Sequence, residues 1–462
     1  MIRRDFLRTG GLALLGASLT SAIEPTRNLL SGAEEKVAGT AKNVIFLVSD
    51  GMSNGTLTMA NLLSERMYGR ESKWISLYQE NKVVRAFMDT ASANAMVTDS
   101  AASSSAWGGG VRVNNGKLNV NADGSYNTPI LQKFKNAGKK VGCVTTVPIT
   151  HATPAGFCIT NNSRGEQSEI ALQYLPLRFD VMMGGGDKYF NPSKRSDKQD
   201  VYEEFEKAGY QLAKTKAQML ELDHKKPILG VFDEDALPFS VDYAHDKNLR
   251  NQVPTLAEMT VKAIDLMKDH TDGFVLQVEG GKVDWAAHSN DTPGLLFDQL
   301  AFDLAVEKAI EFAEKDQNTL VIITTDHGNG NPGLFGDHNS NQKFDLLQKF
   351  KHSNDWVLNA IKPNFSHASV IELINNAQGY TISNEQAKGL LTHYTTSDTK
   401  LPFELLGKIQ ADYTSIGWGS MEHSADYVEL AAYGPGSTLM KPFVRNTELH
   451  NLMLNATGVN TH

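Results

Sequence analysis

The chain has 462 residues, 41% apolar and 21% charged, enough for one large decorated domain or two. Its formal net charge is −9; Arg3, Arg4 and Arg8 against Asp5 give the first 22 residues +2, which leaves the rest at −11. That balance argues against nucleic acid as the main partner, and it repels anionic substrates unless bound cations reverse the field locally.

The first 22 residues read as an address. Arg3-Arg4-Asp5-Phe6-Leu7-Arg8 precedes the weakly apolar run Gly11 to Ala17, and Thr20-Ser21-Ala22 offers a cleavage site. The pattern resembles a twin-arginine export signal, which places the mature protein in the periplasm or outside the cell. The run is too short for a permanent membrane span. Residues 23–42, rich in Ser, Gly, Ala and Glu, read as a tether.

From Asn43 the chain alternates. Asn43 to Ser49 is a continuous apolar strand, followed by a helical pattern through Leu63. Val83 to Met88 is a second strand, and a helix from Pro129 leads to the strand Lys140 to Val147. Further strands are expected at Asp180 to Met183, Ile228 to Phe232, Phe274 to Val278 and Thr319 to Thr325, with helices at Thr255 to Lys268 and Gly294 to Glu314. This rhythm predicts an α/β fold of three layers, α/β/α, around a mainly parallel sheet. The stretch 335–417, with two short helical patterns, breaks the rhythm and reads as an inserted helical and loop cap. Residues 43–462 then form one catalytic domain. Cys143 and Cys158 are the cysteines, and one bridge or two thiols are both compatible with them.

Chemistry gathers where strands end, the usual site position in open α/β sheets. Ser49-Asp50-Gly51 follows the first strand. Thr98-Asp99-Ser100 opens a small-residue helix, where Ser100 would meet free N–H groups and the positive end of the dipole. Glu279-Gly280-Gly281-Lys282-Val283-Asp284-Trp285-Ala286-Ala287-His288 follows Phe274 to Val278; the glycines mark a sharp turn, and Asp284 and His288 share a helical face. Asp326-His327 ends another strand. His423, taken alone, reads as structural, and Asp337-His338 as a solvated loop pair. Gly184-Gly185-Gly186 reads as turn or packing glycine.

Together these segments resemble the metal-dependent alkaline phosphatases, in the family's order: Asp50-Gly51-Met52, Thr98 to Ser103, His151 to Ala155, Arg164, Val278-Glu279-Gly280, Asp284, His288, Asp326-His327 and Glu422-His423. The resemblance implies hydrolysis of small phosphate monoesters through a phosphoserine on Ser100. It implies one zinc ion at Asp50, Asp326 and His327, a second at Asp284, His288 and His423, and a magnesium ion at Asp50, Thr153 and Glu279. Arg164 would fork onto the phosphate. His151 and Trp285 stand where many members have Asp and Lys, positions just behind the ligands. The resemblance also implies a homodimer. The nearest alternative on this scaffold is a phosphodiesterase or sulfatase.

Overall fold

The computed structural model describes residues 39–223, 226–336, 338–395 and 400–459. The segments expected to be an export signal and, up to residue 38, a tether lie outside the described residues, as does Asp337.

Ten strands form one sheet: β1 (Asn43–Val48), β2 (Val84–Met88), β3 (Lys140–Pro148), β4 (Val181–Gly185), β5 (Gln211–Ala213), β6 (Ile228–Val231), β7 (Phe274–Glu279), β8 (Thr319–Thr324), β9 (Val428–Tyr433) and β10 (Phe443–Val444). Their order is β10, β2, β9, β8, β1, β7, β3, β4, β6, β5. Only β9 runs antiparallel to its neighbours, β2 and β8. This is the expected α/β class.

In β1 every residue is buried, and alternate side chains enter different cores. Ile45 and Leu47 face a core shared with the helices Asn54–Tyr68, Leu256–Met267 and Thr292–Asp316. Val44, Phe46 and Val48 face the other core, with Trp107 and Phe157. The Phe46 ring packs at a tilt of 52° against Trp107 and Phe157, with centroids 5.0 Å and 5.1 Å away. The helices carrying those two rings, Ser100–Gly109 and Ala152–Cys158, are thereby clamped to the central strand. They also cross closely: a Cβ on Gly108 would overlap the backbone of Gly156, and one on Gly156 would overlap Ser104. Cys143 and Cys158 are buried free thiols, their sulfurs 3.7 Å apart.

The stretch 335–417 departs from expectation. Its described residues hold five α-helices, Ser340–Asp345, Asn354–Ala360, His367–Gln378, Asn384–Tyr394 and Phe403–Thr414, rather than two. Each buries few apolar side chains (Val357 and Leu358 in one, Ala387, Leu390 and Leu391 in another), so the 3.6-residue period is faint in sequence and packing supplies the stability. No helix among the described residues is long and apolar enough to cross a membrane.

Candidate active site

Strand register assembles the site. Val48 of β1 stands opposite Glu279 of β7 on one side and Thr324 of β8 on the other. Asp50 and Asp326 each follow two residues past those paired positions, so they emerge at the same level. On the far side of β7, Thr145 of β3 is opposite Glu279, and its hydroxyl donates to Glu279 Oε2 at 2.5 Å. Asp50, Glu279, Asp284, Asp326 and His327 are all buried.

Asp50, Asp326 and His327 converge as expected. His327 Nε2 lies 3.1 Å from Asp326 Oδ2 and 3.7 Å from Asp50 Oδ1. Asp284 is also close: its carboxylate joins Asp50 and His327 in a group of ligand atoms within 4.8 Å of one another. Asp284, His288 and His423 form the second group, the two Nε2 atoms 3.0 Å apart and each 3.5 Å from an Asp284 oxygen. Asp284 and His288 do share a face of the helix Lys282–His288. His423 arrives from far along the chain on a two-residue bridge, paired opposite Asn329, which stacks it at 3.6 Å on His327. It therefore lies within the candidate site rather than apart from it.

Asp50, His151 and Glu279 make a third group within 4.8 Å, and Thr153 Oγ1 donates to Asp50 Oδ2 at 3.2 Å. His151 thus reaches the ligand cluster itself. The glycines before Asp284 act differently from expectation. Gly281 has φ −72°, an ordinary value, but a Cβ there would come within 2.7 Å of Val147. Room, not conformational freedom, requires glycine.

Ser100 opens the helix Ser100–Gly109 and is buried, its Oγ 3.4 Å from His327 Nε2. Asp99 caps that helix by accepting from the Ala102 N–H. Asp99 also accepts from Arg164 Nη1 at 3.0 Å, while Arg164 Nη2 donates to His151 Nε2 at 3.1 Å. Arg164 is consequently a tethered, partly buried cation beside Ser100, not a free surface charge. Ser104 Oγ donates to the Thr153 carbonyl at 2.6 Å, tying the two helices together behind the site.

The donor set fits cations. Asp50 Oδ1, Glu279 Oε1 and Asp326 Oδ2 are buried with no hydrogen-bond partner. The Nδ1 atoms of His288, His423 and His327 face the carbonyls of Met421, Thr98 and Gly328, which leaves three Nε2 lone pairs pointing inward. Two Nε2 atoms 3.0 Å apart call for a positive charge, a proton or a metal cation, between or beside them. Burial, with the charges of Asp326, Asp284 and Glu279, pushes Asp50 well above the usual carboxylate range, and burial raises Glu279 to about 7. For Asp284, burial is outweighed by hydrogen bonding to His423 and by the neighbouring imidazoles, which hold it low. Burial likewise opposes the charge on His423, but Asp284 raises it to about 9.

Asp99, Thr145 and Asn329 were not singled out as site residues by the sequence. Asn329 donates to Asp284 Oδ1 at 2.7 Å and so orients that carboxylate. Asp99 carried a signal, as an N-cap residue directly before the candidate serine; Thr145 and Asn329 carried none outside the strand register.

The family model described as alkaline phosphatase matches residues 41–459. Alkaline phosphatase 4 of Bacillus subtilis (strain 168) is 28% identical over 458 residues, 98% of this chain and 96% of that protein. The crystal structure of Thermus thermophilus alkaline phosphatase has a TM-score of 0.85 at 31% identity, covering 96% of this chain and 97% of that one. A cold-active alkaline phosphatase from a psychrophilic Shewanella sp. gives 0.78 at 26% identity, covering 91% of this chain and 100% of that one.

Proposed function

The chain belongs to the alkaline phosphatase family and is a phosphomonoesterase, and from that premise we propose that it works through a phosphoserine on Ser100. The observation that carries the reading is the position of Ser100 Oγ, at a helix N-terminus and 3.4 Å from His327 Nε2, facing the orphaned carboxylates.

Asp50, Asp326 and His327 would hold one zinc ion, Asp284, His288 and His423 a second, and Asp50, Thr153 and Glu279, with His151 alongside, a magnesium ion. When bound, these ions supply the charge that lowers the pKa of the Ser100 hydroxyl, neutralises the leaving oxygen and polarises water. Ser100 Oγ then forms a bond to phosphorus as the ester P–O bond breaks and the alcohol departs with a proton. Water cleaves the phosphoserine, which restores the Ser100 hydroxyl and releases inorganic phosphate. Free N–H groups of the first helical turn face the phosphoryl oxygens. Arg164, steadied by Asp99, turns its fork to two non-bridging oxygens. Residues 1–22 would direct export by the twin-arginine route, as the Arg3-Arg4 pair supports.

Ser100→Ala tests the core of this reading. Expected are loss of labelled phosphoserine on quenching with a labelled monoester and a fall in kcat of at least a thousandfold; retained labelling overturns it. Metal analysis of the purified enzyme, with activity followed on re-adding zinc, magnesium or both, tests the two-plus-one assignment.

A further inference from the structure

Lys282 begins the helix that carries Asp284 and His288, yet its side chain takes no part in any of the three ligand groups. It is 8% exposed. Its ammonium lies 3.5 Å from the centre of the Phe239 ring and 5.2 Å from that of Trp285. Asp298, Asp355, Asp291 and Asp242 act on it from a distance. A desolvated ammonium over aromatic faces is a substantial contact.

Trp285 follows one turn later and presents its ring to His151, 6.1 Å between centroids at 72°. His151 Nε2 must accept from Arg164, because a guanidinium has only donors. The ring proton therefore sits on Nδ1, which is buried and has no partner. One hydrogen bond cannot fix an imidazole plane, so the second restraint on His151 is packing, and Trp285 provides it. The contacts run from Phe239 through Lys282, Trp285 and His151 to Arg164.

We propose that Lys282 is a positioning residue for phosphate binding: its ammonium holds Trp285 against His151, and His151 keeps Arg164 aimed at the phosphoryl group. This rests on the role given above to Arg164. The competing account is that Lys282 only balances the surrounding carboxylates, which would affect stability and leave phosphate affinity alone.

The test uses the metal-loaded full chain, with steady-state kinetics on an aryl phosphate and inhibition by inorganic phosphate. Lys282→Met should raise KM and the phosphate inhibition constant together, by roughly threefold to tenfold, with kcat within about twofold. Lys282→Arg, which keeps a cation over the rings, should recover most of that loss. In an Arg164→Ala background the Lys282→Met effect should vanish. Should Lys282→Met fail to accumulate, Trp285→Ala against Trp285→Phe carries the same comparison, the alanine giving the shift and the phenylalanine a smaller one. A lower Tm with both constants unchanged overturns the proposal, as does an equal rise in the Arg164→Ala background. If Arg164→Ala alone leaves both constants unchanged, the role of Arg164 falls and this proposal falls with it; if Arg164→Ala shifts them and Lys282→Met does not, only this proposal falls.

Discussion

Asp50, Glu279 and Asp326 at the strand ends are buried as deeply as Asp291, Asp298 and Asp303 under the helical side of the sheet, but the two sets are finished differently. Each strand-end carboxylate leaves one oxygen without a donor. On the helical side, Asp291 accepts from the N–H groups of Gly294 and Asp355, Asp298 from that of Ser240, and Asp303 from those of Lys73 and Trp74. Depth alone does not mark a cation site. A lone pair that the fold declines to use does, whereas a carboxyl group among backbone donors in a dry core is accommodated by keeping its proton. Burial accordingly raises Asp291 and Asp298 to about 7 and Asp303 to about 6.

The sharpest way to break this contrast is to neutralise one acid from each set. Asp326→Asn should remove about one zinc per chain by elemental analysis and lower kcat more than a hundredfold. Full metal content in that variant would refute the assignment. Chelation should expose the same asymmetry as stability: without cations the strand-end charges repel, and the loss, read by calorimetry with and without chelator, should be about 3 kcal/mol.

Asp298→Asn should leave metal content and kcat unchanged and act through pH instead. Its carboxyl holds a proton in the folded state up to about 7, whereas the unfolded chain releases it near 3.8, so wild-type stability falls as pH rises through that window. The variant lacks this slope and should gain on wild type by about 2 kcal/mol between pH 4 and pH 8 in urea unfolding; a constant difference would contradict it. The smallest effect is expected from Thr145→Val, which strips Glu279 Oε2 of its donor. Magnesium affinity should weaken by about tenfold, with zinc retained.

Much of this was legible in advance. Every sheet strand from β1 to β8 except the three-residue β5 was visible as a mainly apolar run; β1 and β8 are buried throughout, and such strands carry few polar interruptions. Asp50, Asp326 and Glu279 announced themselves by standing where those runs stop. The partners that orient them did not. Thr145 sits within an apolar strand, and only the pairing of β3 with β7 sets it opposite Glu279. Asn329 depends on a two-residue bridge to His423, nearly a hundred positions away. The helices of 335–417 stayed hidden because each shows the core only one to five residues.

The crossing at Gly108 and Gly156 gives the centre a hard stop. With backbone resting on backbone, the gap between the nucleophile's helix and the helix bearing Thr153 cannot be retuned by choosing a different side chain. An alanine at either glycine would act as a shim, widening that one dimension while leaving every group that meets substrate chemically intact.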